Sequence, residues 1–370
     1  MIEFTMPALG SDMDEGTLTE WLVKPGDRIS RGQVVAIVET TKAAVEIECW
    51  QEGTVNELVV AAGETVQVGT VLATLLEPGE RVAATPPTTP HRRRWVSPAA
   101  RRLARSLNVD IDNVRGTGPQ GAVTLGDVEH AAKEAATKPA TETTAADRAA
   151  AMRRSIAVAM SRSKREIPHY YLADEIPMET SLTWLSARNA QRSITERVLP
   201  AVLQLKAVAR AARRFGEFNG FWRDGGFQPA TAVHIGVAIS LRGGGLVAPA
   251  IHDVADKKLD ELMADLTDLV ARARAGSLRS SEMSDPTITV TNLGDQGVDT
   301  VFGVIYPPQV ALVGFGKPTQ RVCVIDGGIR VVTAVRGTLA ADHRASDGHR
   351  GALFLAAINE LLQQPDLLEK

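Results

Sequence analysis

Cysteine is almost missing from this chain: there are two among 370 residues, Cys49 and Cys323, far apart in sequence. That excludes a disulfide framework or a thiolate metal cluster, and both read as small core or surface residues of a cytoplasmic protein. No apolar run approaches the roughly 18 residues that a membrane-spanning helix requires, so such a span is excluded. The first residues, Met1-Ile2-Glu3-Phe4-Thr5-Met6-Pro7, show no basic segment followed by an apolar stretch, and no secretory signal is expected. Gly-x-Ser-x-Gly does not occur, which removes the nucleophile elbow of a serine hydrolase.

What is present is ordinary globular material, 44% hydrophobic and 23% charged, in a chain long enough for two or three domains. The net charge of -3 hides a separation by segment. Residues 1–80 are mostly acidic among their charges, and residues 91–115 are rich in arginine. Two Pro/Ala/Thr-rich stretches have too few large apolar residues to bury and read as linkers, residues 79–95 and 133–147. They leave three ordered pieces: 1–78, 96–132 and 148–370.

The first piece contains an internal repeat. Glu15-Gly16-Thr17 recurs as Glu52-Gly53-Thr54, Pro25-Gly26-Asp27 as Ala62-Gly63-Glu64, and Gly32-Gln33-Val34 as Gly69-Thr70-Val71, at one offset of about 37 residues. Short alternating β-branched runs between glycines predict an all-β sandwich of two similar halves. In Ala44-Val45-Glu46-Ile47-Glu48 the apolar and acidic residues take opposite faces, and Lys42 falls at the tip of the preceding hairpin. A loop-tip lysine is ordinarily a solvated charge. This piece, however, resembles the lipoyl carrier domain of 2-oxo acid dehydrogenase complexes, whose lysine in an Asp-Lys-Ala turn is amide-linked to lipoate. Thr41 stands in place of that Asp, and the Met-Lys-Met of the biotin carriers is absent. The resemblance implies lipoate on Lys42.

The middle piece pairs Ser97-Pro98 with the helical apolar spacing of Leu103 and Leu107, then Gly116-Thr117-Gly118-Pro119-Gln120-Gly121, then a second helix after Thr124. The glycine pattern is literally G-x-G-x-x-G. A dinucleotide fingerprint, though, follows a buried strand within a βαβ unit, and this one lies between two short helices with Pro119 inside it. A nucleic-acid patch around Arg92-Arg93-Arg94 has only Trp95 interleaved and an acidic chain around it. The segment resembles the peripheral subunit-binding domain of the same complexes. By matching positions Arg101, Arg102 and Arg105 form the partner-binding face, and Ala122 replaces an arginine frequent in that family.

The last piece alternates helical stretches such as 198–215 with strand-like ones such as 233–240 and 309–314, a mixed α/β domain of about 220 residues. Near its end Ala341-Asp342-His343-Arg344-Ala345-Ser346-Asp347-Gly348 sets a histidine and a carboxylate four residues apart, and Thr287 to Gly294 reads as a strand running into a turn. A base and an oxyanion donor are the minimum for acyl transfer. A lone histidine is usually a core residue. A metal set of His343, Asp347 and His349 has no further His/Cys cluster behind it, and no metal is expected. The His-Arg-x-x-Asp-Gly motif, Thr291-Asn292-Leu293-Gly294 and Ile167-Pro168-His169-Tyr170-Tyr171-Leu172 resemble the catalytic domain of dihydrolipoamide acyltransferases, of chloramphenicol-acetyltransferase-like fold. The likeness spans nearly the whole chain in that family's domain order.

The resemblance implies a dihydrolipoyllysine-residue acyltransferase, the core component of a 2-oxo acid dehydrogenase complex such as the pyruvate dehydrogenase complex. It would pass an acyl group, acetyl before branched-chain or succinyl, from the lipoyl group to coenzyme A. His343 is implied as general base toward a thiol of ordinary pKa about 8.5, Thr291 as the oxyanion donor, and Asp347 as holder of the local turn. Implied partners are the thiamine-dependent 2-oxo acid dehydrogenase and dihydrolipoamide dehydrogenase, around a homotrimer-based core of cubic or dodecahedral kind, with no nucleic acid and no membrane. A non-catalytic scaffold and an acyl-thioester hydrolase are the rival readings. A proline-containing linker reaching roughly 60 Å at about 3.1 Å per residue would let one carrier visit several sites.

Overall fold

Gly26 and Gly63, 37 residues apart in the repeat, both take φ 95°, and Gly32 and Gly69 take 78° and 87°. Each pair makes the same turn twice, at backbone angles that side chains other than glycine rarely adopt. The bonds repeat with them: the amide of Gly26 donates to Val55 and that of Gly63 to Leu18, while Val55 donates to Asp27 and Leu18 to Glu64. This is a computed structural model. It describes residues 1–9, 13–40, 44–77, 96, 98–106, 114, 116–119, 122–130, 145–241, 245–325 and 327–369. Lys42, residues 79–95 and residues 133–144 lie outside the described residues, while residues 145–147, expected as the end of the second linker, begin a helix.

The repeat builds β1 (Ile2–Thr5), β2 (Glu15–Trp21), β3 (Arg28–Ile29), β4 (Gln33–Glu39), β5 (Ala44–Cys49), β6 (Gly53–Leu58), β7 (Thr65–Gln67) and β8 (Val71–Leu76). One sheet runs β1-β8-β6-β3 and the other carries β5-β4-β2-β7. Met6, Leu18, Ile47, Leu72 and Leu75 fill the space between them. Strands β4 and β5 pair antiparallel up to Glu39 opposite Ala44.

Residues 80–147 form a separate unit. Its described part is α1 (Pro98–Ser106) and α2, helical over 125–130, around Ala100, Ala104, Val114, Val123 and Val128. Asp127 gathers the glycine loop onto α2: its carboxylate accepts from the Thr117 amide at 3.0 Å and hydroxyl at 2.6 Å, and from the Thr124 amide at 2.8 Å. The Thr117 hydroxyl, then the two amides, hold this carboxyl well below the usual range.

The larger domain begins with α3 (Ala145–Glu166), β9 (His169–Pro177), α4 (Glu179–Asn189) and α5 (Pro200–Arg214). Two short hairpin strands, β10 (Gly220–Arg223) and β11 (Gly226–Pro229), precede β12 (Ile235–Val237), β13 (Ile239–Ser240), β14 (Leu246–Val247) and β15 (Ala250–Ile251). Then come α6 (Leu259–Ala275), β16 (Leu278–Arg279), α7 (Ser280–Ser284), β17 (Ile288–Asn292), β18 (Ala311–Phe315), β19 (Thr319–Ile325), β20 (Gly328–Asp342) and α8 (Gly348–Gln363). The main sheet is ordered β15-β12-β17-β18-β20-β19, with β9 on the other edge of β20. Helices α5 and α8 pack with it around Leu203, Val208, Phe315, Phe354 and Ile358.

The strand expected over 233–240 is divided. Val237 still pairs with Val290, but Ile239 and Ser240 pair with β14, because the chain folds back through Gly245 at φ 102°. β18 and β19 lie end to end along β20, interrupted by Gly316-Lys317-Pro318, where proline has no amide to continue the ladder.

Candidate active site

The chain leaves β20 through Asp342, whose side chain is fully buried. Its carboxylate accepts from the Arg344 amide at 2.9 Å and from the guanidinium at 2.9 and 2.6 Å. Arg344 reaches solvent but leaves the buried carboxylate paired, so the two residues clamp the turn that carries His343 between them. The His343 amide donates to Pro168 at 3.0 Å, and the amides of Ala345 and Ser346 both return to the Asp342 carbonyl. Arg344 in turn lies over the Trp222 ring at 4.5 Å.

Tyr170, on β9 opposite Ala341, finishes the turn. Its hydroxyl donates to the Asp347 carbonyl and pairs with the Ser346 hydroxyl, both at 2.8 Å, while its ring meets the His343 ring edge-on at 5.1 Å. Burial pushes the Tyr170 phenol up, which keeps it a neutral donor. Asp347 caps α8, its carboxylate accepting from the Arg350 amide at 2.9 Å. The imidazole of His343 is exposed, and neither ring nitrogen has a hydrogen-bond partner among the described residues.

Thr291 stands elsewhere. On β17 it registers with Gly314 of β18, and Gly314 with Thr338 of β20. Thr338 is five residues before His343, so the two lie two strands apart and roughly 16 Å along the sheet, at about 3.3 Å per residue. Within one chain the hydroxyl and the imidazole do not meet. The next residue is fixed: Asn292 donates to Gln204 at 2.8 Å and accepts from the Gly294 amide at 2.9 Å. The Thr291 hydroxyl itself has no partner among the described residues.

Arg101 and Arg102 are exposed on α1, and Arg105 occupies the same helix. No three His, Cys, Asp or Glu side chains come together as metal ligands among the described residues. Phe315 is buried in the core, Phe302 is half exposed, and Tyr306 lines a cleft of about 430 Å³ beside Arg344.

Residues 141–369 match the model for the 2-oxoacid dehydrogenases acyltransferase catalytic domain. The chain belongs to the 2-oxoacid dehydrogenase acyltransferase family. Residues 2–75 match the model described as biotin-requiring enzyme, the biotin/lipoyl carriers, and residues 94–129 the one described as e3 binding domain. The acyltransferase is similar over 98% of its length to the dihydrolipoyllysine-residue acetyltransferase component of the pyruvate dehydrogenase complex of Rhizobium meliloti, at 30% identity and 98% of that chain. The corresponding component from Rickettsia bellii is 29% identical over 99% of this chain and 98% of its own. Among solved structures, a probable dihydrolipoamide acetyltransferase from Listeria monocytogenes matches at 28% identity and TM-score 0.54, covering 57% of this chain and 91% of that one. The dihydrolipoamide acetyltransferase of Azotobacter vinelandii matches at 25% and 0.55, covering 59% and 90%. The chain is thus an acyltransferase with a lipoyl carrier, using lipoate as cofactor and coenzyme A as substrate. No described helix is long and apolar enough to cross a membrane.

Tyr170, Asp342 and Arg344 are the residues that sequence reasoning did not single out. Tyr170 belongs to the quoted 167–172 motif, and Asp342 and Arg344 flank His343, so the signal was adjacency to motifs already noted.

Proposed function

We propose that this chain is the acetyltransferase core component of a cytoplasmic pyruvate dehydrogenase complex, with Lys42 as the lipoyl attachment site and His343, Thr291 and Asp347 at the reacting centre. The observation that carries the site is the separation of Thr291 from His343 in one chain, each with an unpartnered polar group. A second copy would have to bring its Thr291 to this chain's His343. In the Azotobacter vinelandii enzyme a serine, a histidine and an asparagine have roles in catalysis. The histidine there follows the serine by 52 residues and the asparagine follows the histidine by four, spacings that Thr291, His343 and Asp347 reproduce.

Bound to Lys42, lipoate supplies the thiol that carries the acyl group as a thioester. His343 takes the proton from the coenzyme A thiol as that sulfur attacks the carbonyl carbon, and returns a proton to the departing sulfur. Thr291 of a neighbouring copy donates to the carbonyl oxygen while negative charge gathers on it. Asp347 holds the turn by capping α8, and Tyr170 ties Ser346 and Asp347 to β9.

A trimer-based core also gives a place to the β19–β20 hairpin, where Val322 and Val331, and Val324 and Ile329, are cross-strand pairs exposed by 63–79%. Four large apolar residues on one solvent-facing ladder suit burial against another copy. Arg101, Arg102 and Arg105 supply the basic face for the thiamine-dependent 2-oxo acid dehydrogenase or dihydrolipoamide dehydrogenase. Transfer from acetyl-, isobutyryl- and succinyl-coenzyme A to free dihydrolipoamide tests the reading. Acetyl transfer is expected to dominate and to disappear in His343→Ala; a folded, oligomeric chain inactive with every donor would be a scaffold instead.

A further inference from the structure

The edge of the carrier sheet is occupied by the acyltransferase domain of the same chain. Strand β5 pairs in parallel with β16, Val45 opposite Leu278 and Glu46 opposite Arg279. Just beyond, Glu48 and two serines of α7 bond in both directions. The Glu48 carboxylate accepts from the Ser281 amide at 3.1 Å and the Ser280 hydroxyl at 3.3 Å, and the Glu48 amide donates to the Ser280 oxygen at 3.0 Å. Met283 packs against the cores of both domains.

The acyltransferase domain shapes this edge with its own bonds. Glu282, 6% exposed, is held by Arg272 and accepts from the Arg279 amide at 2.9 Å, and the Asp285 amide closes α7 onto Ser281 at 3.0 Å. A preformed two-residue strand with two hydroxyl-bearing residues after it is a template for strand addition, in which backbone bonds give affinity and one side-chain contact sets register. An uncovered edge strand such as β5 is otherwise a liability.

The place of this edge in the fold gives it a use. Past α7 the chain enters β17 at Ile288, and the register of Thr289 with Leu312, and of Leu312 with Ala340, puts that entrance at the His343 end of the sheet. The cleft of about 430 Å³ there has Ala8 of the carrier in one wall and Met283, Trp222, Gln309 and Arg344 in the others. β5 starts two residues after Lys42.

We propose that β16 and α7 form a docking edge for the carrier domain of the same chain, which presents the Lys42 hairpin to the His343 end of the acyltransferase domain. The proposal rests on the acyl-transfer reading above. Tethering already holds the carrier near about the millimolar range, so a modest docking contact suffices to orient it. The step it serves is thioester exchange: an acetyl group moves from the lipoyl sulfur to the coenzyme A sulfur and the coenzyme A thiol proton passes to the lipoyl sulfur, a step that acetyl-coenzyme A and a reduced lipoyl group run in reverse.

Two measurements on the full-length lipoylated chain test it. With Cys49 and Cys323 changed to alanine, Glu46→Cys and Arg279→Cys are introduced together and treated with dibromobimane, which fluoresces once both arms have reacted. Fluorescence at the mass of one chain is expected; no cross-link, or one joining two chains, overturns the proposal. Glu48→Lys and Ser280→Ala are then compared with the parent for acetylation of their own reduced lipoyl groups and of free dihydrolipoamide by acetyl-coenzyme A. Loss of charge-assisted bonds predicts a fall of up to about tenfold in tethered transfer with free transfer unchanged. An unchanged or faster tethered rate, or an equal fall in both, overturns it. Failure of the parent chain to acetylate free dihydrolipoamide would instead reject the acyl-transfer reading, and the cross-link would still decide the contact.

Discussion

At the end of β20 the turn around His343 is fixed by its own chain, through the Asp342–Arg344 clamp, the Pro168 carbonyl and the Tyr170 hydroxyl. At the end of β17 the Thr291 hydroxyl is left with no partner among the described residues, although Asn292 beside it is bonded on both sides. Bonded neighbours therefore surround both groups. On the proposed reading the contrast is between two half-sites on opposite ends of a sheet, each held by its own supports.

The hardest way to break that comparison is to remove one group from each half. His343→Ala should lower turnover by about 100-fold to 10,000-fold, as loss of a general base does. Thr291→Ala should lower it by roughly 100-fold to 1000-fold with little change in KM. Oligomers assembled from both variants together should regain a substantial share of parent activity, since some interfaces would then join an intact Thr291 to an intact His343. Mixed oligomers no more active than the separate variants would place both groups in one chain's site and end the half-site account.

A smaller effect sharpens the role of Asp347. Because its carboxylate caps α8 through the Arg350 amide, Asp347→Ala should cost about 1 kcal/mol of stability, and Asp347→Asn much less, since asparagine caps equally well. Turnover should follow the same order. Thermal unfolding and turnover measured on both variants decide it: an asparagine variant as damaged in turnover as the alanine one, at parent stability, would mean that the charge and not the cap is what His343 uses.

The carrier half of the fold was legible because its glycines obey a backbone rule. A residue at φ 95° is nearly always glycine, so Gly26 and Gly63 announce the same turn twice, and the strands between follow. The histidine and the threonine were legible as motifs. Their separation was not, since it depends on the register of β17 to β18 to β20, which alternation alone leaves free. The clamp on His343 was equally hidden: Asp342 is buried and Arg344 answers it, and nothing in the order Asp-His-Arg says that the charges close on each other rather than on solvent. The division of residues 233–240 between two sheets escaped for the same reason, as the apolar pattern is identical whichever partner the strand takes.

The gentlest perturbation is acid, and it should act on one half only. His169, paired with Asp342 across β9 and β20, accepts the Ile305 amide at Nε2 over 3.2 Å and donates from Nδ1 to the Ile167 carbonyl over 2.9 Å. Burial pushes its pKa down; the Ile167 carbonyl opposes that, Lys164 adds to it, and Asp342 opposes it. A proton on Nε2 would face the Ile305 amide donor to donor. The unfolded chain takes up this proton near the ordinary value of about 6.5 and the folded chain only at lower pH, so stability is unaffected well above 6.5 and declines as pH falls below it. Thermal midpoints between pH 7.5 and 5 should therefore fall less steeply in His169→Gln, which cannot take up that proton, than in the parent. Parallel curves for the two proteins would remove His169 from the account of acid sensitivity and leave the His343 half no more responsive to pH than the Thr291 half.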